Sequence, residues 1–382
     1  MIICFNCSLE TKRFLDDLVK SGQYEDYAEA ISFALANLVA LHKEIGTKGA
    51  IVIKADSGKM ETEALRSMKP KKGPSGRVTR RRQRSKATRI DQRRVTVESI
   101  PEIFLMIGLD ASSSTLAPLP DDIWAKGQEV PLDRWLFGQY NKLLPAKASC
   151  RALAHLLTDY PQGIPLSEAA AEISHEAALL GDFLRNYDMQ NGLGRDDALS
   201  TGFPSSGLNT EKSRLRYAGQ FVGSVNQNGQ VSGLLIGLKL VNHSSEKNPC
   251  LFLTEAGWRF ATLNNPVLDN TLQKSKDRFS DAEASFLINH IKENVPAEDF
   301  AYRAVLSAIK DGANNPNTLD EELRRYVSHE RVNDFQNSFL SSQRSGAVSR
   351  MTDLGLVLRV RTGVRVSYVL TERGQNYMGN GK

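Results

Sequence analysis

The first 45 residues of this 382-residue chain read as one short strand followed by two helices that meet at Ser21 and Gly22. Apolar residues at positions 3, 5 and 7 have the period of a half-buried strand, and those from position 30 to 41 have helical spacing. So short a segment cannot bury a core alone, and a single strand leaves its backbone donors and acceptors unpaired. Pairing two copies of the strand meets both needs, so the sequence predicts a homodimer through residues 1–45.

The same segment resembles ribbon-helix-helix proteins of the CopG-like kind. The resemblance rests on residues 14–19 (FLDDLV), 21–24 (SGQY) and 28–31 (AEAI). In that family the paired strands enter the DNA major groove, and the start of the second helix holds a phosphate with its backbone amides. The resemblance implies a dimerisation and DNA-binding module over residues 1–47. Its groove-facing residues would be Cys4, Asn6 and Ser8, with phosphate near Tyr24, Glu25 and Asp26.

The charge of this segment favours dimerisation over DNA reading. It contains seven acidic and four basic residues, and the groove-facing positions include no Arg or Lys. DNA affinity depends largely on neutralising phosphates. We therefore expect the module mainly to join two chains, with a secondary role for Asn6 and Ser8 in reading bases. A pure dimerisation module is the alternative.

Residues 66–94 contain thirteen Lys and Arg and a single acidic residue, whereas the whole chain has a net charge of only +5. Their Gly, Pro and Ser content and the near absence of large apolar residues predict a disordered segment. We interpret residues 60–98 as a flexible basic linker that clamps nucleic acid, with Arg80, Arg81, Arg82 and Arg84 as candidate contacts. A solvated linker that only maintains solubility is the alternative. An anionic membrane is a less favoured partner, since no amphipathic aromatic face accompanies the charges.

Three short blocks of the C-terminal half occur twice in nearly constant register. Residues 229–232 recur at 346–349, residues 237–238 at 355–356, and residues 253–257 at 370–374. This indicates two copies of one unit, over residues 148–268 and 278–378.

Each copy predicts a helix, a turn, a short helix, a hairpin and a final helix. The turns fall at 226–229 and 343–346, Ser232 and Ser349 are placed as N-caps of the short helix, and the return strands fall at 250–253 and 367–370. Thr254 and Thr371 then begin the final helix. This order resembles a winged helix, in which a helix-turn-helix is followed by a hairpin called the wing.

In winged-helix proteins the helix after the turn enters a DNA groove and the wing contacts the flanking backbone. By this resemblance the candidate DNA contacts are Arg344, Arg350, Arg359, Arg361 and Arg365 in the second copy. The alternative is a solvated hairpin whose charges protect a strand edge from aggregation. The first wing, residues 243–248, is hardly basic, so we expect it to serve packing or dimerisation.

Residues 99–147 are rich in aromatic side chains and are interpreted as an arm that docks onto the first winged-helix unit. An aromatic platform for bases is the less favoured alternative, because buried aromatic residues usually pack.

The sequence contains no pattern typical of an enzyme or of a metal or cofactor site. Cys4 and Cys7 would point to opposite faces of a strand. The six histidines have no ligand spacing, and no phosphate-binding glycine loop is present. Four cysteines argue against a disulfide framework. Without a transmembrane-length apolar run or a signal-peptide layout, we expect a soluble, cytoplasmic and nucleoid-associated protein.

The predicted fold class is mainly α with small β elements (α+β): a ribbon-helix-helix dimer module, a disordered basic linker and two winged-helix domains. The predicted function is sequence-directed binding of double-stranded DNA by a homodimer, as a prokaryotic transcriptional regulator. A partition or replication-initiation factor is one alternative. A scaffold whose winged-helix units bind proteins is the other.

Overall fold

The computed structural model of the protein describes residues 51–56, 59–64, 99–109, 115–194, 196–205, 210–269, 277–327, 337–363 and 365–379. The chain divides into two compact parts, Met1–Ile90 and Asp91–Lys382. The predicted module over residues 1–47 lies outside the described residues, as do most of the basic linker and the candidate contacts Asn6, Ser8, Arg80, Arg81, Arg82 and Arg84.

The part of the chain before residue 91 contains a β-hairpin that the sequence analysis did not predict. Strand β1 (Ile51–Asp56) pairs antiparallel with β2 (Lys59–Ala64), which places Ile51 opposite Ala64. The β-branched residues 51–53 and the Ser-Gly sequence between the strands favour a hairpin here. Strand β2 therefore occupies the first residues of the segment assigned to the basic linker.

The described part of residues 91–382 is mainly helical with small antiparallel sheets, which confirms the α+β class. The elements of the first repeat are α1 (Leu143–Asp159), β3 (Ile164–Pro165), α2 (Leu166–Gln190), α3 (Thr210–Tyr217), a π-helical turn (Ala218–Val222), β4 (Ser224–Val225), β5 (Val231–Ser232), α4 (Leu234–Gly237), β6 (Val241–His243), β7 (Cys250–Leu253) and α5 (Glu255–Thr262). Strand β7 lies between β3 and β6 in a three-stranded sheet, and β4 and β5 form a separate hairpin.

Helix α1 is the centre of this repeat, because it is buried on nearly every face. Its two buried basic residues are paired. Lys147 Nζ lies 2.9 Å from a carboxylate oxygen of Glu283, and Arg151 Nη1 lies 2.6 Å from one of Asp269. Burial lowers the pKa of Lys147 to about 8, although Glu283 opposes the shift. Breaking such a buried pair costs more than losing an exposed one, so these contacts fix α1 to the segment between the repeats at Asp269 and to the start of the second repeat at Glu283.

The second repeat consists of α6 (Asp281–Asn294), α7 (Pro296–Lys310), α8 (Pro316–Leu323), α9 (Asn337–Asp353), β8 (Val357–Thr362), β9 (Arg365–Leu370) and α10 (Glu372–Gly379). Capping boxes at Ser280 and Asn315 begin α6 and α8. Strands β8 and β9 pair over their whole length, from Val357 opposite Leu370 to Thr362 opposite Arg365.

Both repeats contain the same connection from a helix to a hairpin strand. Lys239 follows α4 with a φ of 55°, and Gly355 follows α9 with a φ of 69°. The next residue, Leu240 or Leu356, donates its N–H to the carbonyl five residues earlier, at 3.0 and 2.9 Å. This is a Schellman helix end, which needs one residue in the left-handed region.

This connection corrects one of the three sequence matches between the repeats. The sequence alignment paired Leu238 with Leu356, whereas the structure pairs Leu240 with Leu356. The match between Gly237 and Gly355 was misleading, because the structural equivalent of Gly355 is Lys239. Among the residues that the structure describes, Lys239 is the one non-glycine residue with a positive φ.

The final helix also begins in the same way in both repeats, as predicted. The hydroxyl oxygens of Thr254 and Thr371 accept the N–H of Gly257 at 3.1 Å and of Gly374 at 2.9 Å. A Cβ on Gly257 would lie 1.9 Å from the Leu240 carbonyl oxygen, and one on Gly374 would meet the equivalent oxygen at 2.1 Å. The shared Leu-Thr-Glu-x-Gly motif therefore combines a helix cap with a close backbone contact.

The predicted turn at residues 343–346 is wrong. Helix α9 runs through this segment without a break, so Ser349 lies inside it rather than at its N-cap. Gly346 instead marks a close contact, because a Cβ there would lie 2.5 Å from the carbonyl oxygen of Gly138. In the first repeat the turn at 226–229 is confirmed, but Ser232 ends β5 and is not the N-cap of α4.

The aromatic-rich arm packs as predicted, but onto both repeats rather than only the first. Trp135 is 4% exposed, and its ring lies against those of Phe300 and Tyr326 in the second repeat. On the side of the first repeat, Ala117 donates its N–H to Leu253 at 2.8 Å. The arm therefore connects the two repeats.

Candidate nucleic-acid interface

The β8–β9 hairpin presents three of the arginines that the sequence analysis selected. The side chains of Arg359 and Arg361 are 41% and 49% exposed, and Arg365 is also exposed. Successive residues of a strand point to opposite faces. Arg359 and Arg361 therefore share one face of the hairpin, whereas Arg365, which is opposite Thr362, lies on the other.

The second face of the hairpin also exposes aliphatic side chains. Leu358, Val360 and Val369 are 55%, 42% and 47% exposed, and Leu358 is directly opposite Val369. These residues point to the same face of the hairpin as Thr362 and Arg365. The hairpin thus has an arginine face and a mixed aliphatic and basic face.

Asp196, in the loop between α2 and α3, contacts the arginine face. Its carboxylate oxygens lie 3.0 Å from Nη1 of Arg359 and 3.5 Å from Nη1 of Arg361. Because Asp196 is itself 46% exposed, water and salt screen these pairs.

Arg278 holds this loop in place. Its Nη2 donates to the backbone oxygen of Asp196 at 2.9 Å, and its Nη1 lies 3.3 Å from the buried carboxylate of Asp353. Asp353 also accepts the N–H of Leu143 at 3.0 Å. Nearby, burial lowers the pKa of Lys142, with Asp353 opposing the shift. Asp196 is therefore positioned through Arg278, whose other partner, Asp353, also binds the start of α1.

Arg344 is not an exposed DNA contact, in contrast to the prediction. Its residue surface is only 9% exposed. Its Nε donates to Asp320 at 2.7 Å and its Nη1 donates to the hydroxyl of Tyr368 at 2.9 Å. Arg344 instead joins α9 to α8 and β9.

The prediction for Arg350 is also wrong, because this side chain is fully buried. It donates to both carboxylate oxygens of Glu298, at 2.6 and 3.0 Å, and to the carbonyl of Tyr140 at 2.6 Å. Burial alone would lower the pKa of Arg350, but Glu298 and Tyr302 together outweigh it and the pKa is raised. Arg350 therefore stabilises the core as a charged residue. The alternation of basic residues in the sequence could not distinguish it from the exposed arginines.

Two further groups of charged residues were not predicted from the sequence. No sequence motif marks Asp196 or Arg278, because their role depends on contacts between segments that are far apart in the chain. Helix α3 is a basic helix with Arg214 and Arg216 in its last turn, and Lys212 and Arg216 are exposed. The cluster of three basic residues at 212–216 was visible in the sequence, but the segment was not recognised as a helix.

The described part of the chain contains no group of three or more His, Cys, Asp or Glu side chains arranged to hold a metal ion. It also contains no helix that is both long enough and apolar enough to cross a membrane. Comparison of the whole chain with protein-family models, with curated proteins and with solved structures finds no match.

Proposed function

We propose that this protein is a homodimeric, sequence-directed binder of double-stranded DNA, with a prokaryotic transcriptional regulator as the favoured role. The exposed arginines of the β8–β9 hairpin are the main support for the proposal. Arg359, Arg361 and Arg365 are exposed on a two-stranded element, and arginine is well suited to contact phosphates.

The proposal assigns the two repeats to the winged-helix class and uses the second hairpin as a backbone contact. It does not use α9 as a helix that enters a groove. Residues 343, 344, 346–348, 350 and 351 of α9 are buried, and the arm covers the helix at Gly346. Groove contacts therefore have to come from elsewhere on the protein.

The rest of the proposal rests on the sequence. The module over residues 1–47 joins two chains, and residues 60–98 add positive charge that holds nucleic acid. A cytoplasmic, nucleoid-associated location belongs to the same proposal.

The test is a titration of full-length protein with duplex DNA selected from a randomised pool, at several salt concentrations. The triple variant Arg359→Ala, Arg361→Ala, Arg365→Ala should bind more weakly. The slope of log affinity against log salt should fall by roughly three, since each phosphate that is no longer neutralised lowers it by about 0.9. The control variant Arg134→Ala, Arg324→Ala, Arg325→Ala removes the same charge from other exposed positions. If the two variants weakened binding equally, the hairpin would contribute only non-specific positive charge to DNA binding.

Dimerisation is tested separately, by the molar mass of the chain in solution. We expect the full chain to be a dimer and the variant lacking residues 1–45 to be a monomer. A truncated chain that remains dimeric would place the dimer interface elsewhere.

The observation that favours a second candidate, a protein-interaction scaffold, is the exposure of Leu358, Val360 and Val369 together with the burial of α9. A scaffold would bind duplex DNA only weakly, without sequence preference. The substitution Val360→Ser would then disrupt a protein complex and leave DNA binding unchanged.

The regulator role and the partition or replication-initiation role differ in where the protein binds. A genome-wide map of bound sites separates them, because a regulator should occupy scattered promoters, whereas a partition or initiation factor should occupy one clustered array.

A further inference from the structure

The segment that follows Glu211 is unusual in its charge. From Lys212 to Ser245 the sequence contains no Asp or Glu, although the chain has 44 acidic residues in 382. The structure divides the first part of this segment into helix α3, the π-helical turn and the β4–β5 hairpin. Helix α3 itself has the exposed Glu211 in its first turn, but no Asp or Glu follows it as far as Ser245. Such a stretch is compatible with a polyanion, whose phosphates repel carboxylates.

Helix α3 is fixed to the core by one face and exposes the other. Tyr217 is 2% exposed, accepts a hydrogen bond from Ser149 at 2.9 Å, and packs its ring against Phe203 and Phe221. Lys212 and Arg216 are exposed and four residues apart, so they lie on the same face of the helix. This face is held in a defined position by its buried side.

The β4–β5 hairpin continues from this helix as an ordered, uncharged projection. The Asn226 side chain accepts the backbone N–H groups of Asn228 and Gln230, both at 2.9 Å. Gly229 turns the chain with a φ of 77° and donates its N–H to Asn226 at 2.9 Å. The tip is therefore shaped by its own hydrogen bonds.

Four amide side chains are exposed at this tip. Those of Asn226 and Gln230 contact each other at 3.4 Å, whereas those of Gln227 and Asn228 lie at the turn itself. Side-chain amides of Asn and Gln suit base edges, adenine above all, while Lys and Arg supply much of the contact to phosphates and also bind guanine. An ordered tip reduces the entropy cost of binding through its side chains. The basic helix face and the amide tip thus combine the two kinds of contact that reading a DNA duplex requires.

We infer that Lys212, Arg216, Gln227 and Asn228 form a second DNA-contact surface, in which the helix binds phosphates and the hairpin tip reads base edges. This inference rests on the proposed function and extends it to the first repeat. It assigns base reading to a hairpin inserted between α3 and α4, while the β8–β9 hairpin contacts only the backbone.

The test uses the full chain, the selected duplex and a scrambled duplex of the same length. The variant Gln227→Ala, Asn228→Ala should lose about tenfold in affinity for the selected duplex, since one bidentate amide–base pair discriminates by roughly that much. Its affinity for the scrambled duplex and its salt slope should stay the same. The isosteric variant Gln227→Glu, Asn228→Asp should weaken binding to both duplexes. Ser245→Ala, Asn248→Ala on the β6–β7 hairpin is the matched control, because its positions are also polar and exposed.

The helix face is tested with Lys212→Ala, Arg216→Ala against the charge-matched control Lys126→Ala, Lys310→Ala. The helix variant should bind both duplexes more weakly and lower the salt slope by roughly two. Unchanged affinity in the hairpin and helix variants, while the β8–β9 triple variant still weakens binding, would overturn the inference and leave the proposed function intact. Failure of the wild type to bind any selected duplex would overturn the proposed function itself. Loss of a protein complex without loss of DNA affinity would also overturn the inference.

Discussion

Arg359 Nη1 lies 3.0 Å from a carboxylate oxygen of Asp196, so a loop of the first repeat contacts the hairpin that we propose as a DNA contact. Arg361 faces the other carboxylate oxygen at 3.5 Å. A DNA phosphate would have to displace this carboxylate in order to pair with the two arginines. Asp196 would therefore act as an internal competitor of DNA.

The first prediction follows from this competition. Asp196→Asn should raise the affinity for duplex DNA several-fold, because both arginines are released and one negative charge is removed. Asp159→Asn, at another exposed position, removes the same charge and serves as the control. Affinity measured by fluorescence anisotropy at constant salt compares the two. Equal gains would indicate a general charge effect and no competition at the hairpin.

The second prediction concerns Arg350, which the sequence analysis placed at the DNA. Arg350→Met should lower stability by about 3–5 kcal/mol, because it leaves the buried carboxylate of Glu298 without its partner. The folded variant should bind DNA as the wild type does. Urea unfolding measures the first effect and anisotropy titration the second.

A double variant separates the stability lost by burying an unpaired charge from the stability lost by other changes at this site. Adding Glu298→Leu to Arg350→Met removes the orphaned carboxylate and should recover part of the missing stability. If Arg350→Met stayed stable but bound DNA weakly, the assignment of Arg350 to the core would be wrong.

A third prediction tests the contact between α9 and the arm. In an isolated helix, Gly346→Ala would stabilise by up to about 1 kcal/mol. Here it should destabilise, by about 1–3 kcal/mol, because the new Cβ would lie 2.5 Å from the Gly138 carbonyl oxygen. Gly194→Ala is the control, since nothing lies within 4 Å of a Cβ at that position. Thermal unfolding of both variants gives the sign directly.

The fourth prediction concerns the pH dependence of stability. Burial raises the pKa of the Cys150 thiol from 9.0 to about 12. A raised pKa in the folded state stabilises the fold below pH 9, and this contribution is lost as the pH rises towards 12. The stability of the wild type relative to Cys150→Ala should therefore fall by about 2 kcal/mol between pH 9 and about pH 10.5. Urea unfolding of both proteins across this range measures the difference, and parallel pH profiles would refute it.

Much of the second half of the fold could be predicted from local sequence patterns. The return strand at Cys250–Leu253 and the helix starts at Thr254 and Thr371 depend on alternation and on a threonine cap, which are local properties. The turn at 343–346 could not be predicted correctly. A glycine at position 346 suggests a turn. What requires glycine there is the close contact with Gly138, which is distant in the sequence.

The candidate site shows the same division. The pattern of arginines identified β8–β9 as a basic hairpin, and its exposure agrees with that reading. The same pattern included Arg344 and Arg350, whose partners Asp320 and Glu298 are remote in the sequence. Charge along a chain does not reveal whether an arginine faces water or a buried carboxylate.

By itself, the sequence determined the α+β class, the threonine-capped helix starts and the basic hairpin, because each depends on periodicity, capping or composition within a few residues. Only the tertiary structure decided which arginines are exposed, where the arm packs and that Asp196 faces the hairpin. These features depend on contacts between segments far apart in the chain, and their energies come from burial and pairing that no local pattern contains.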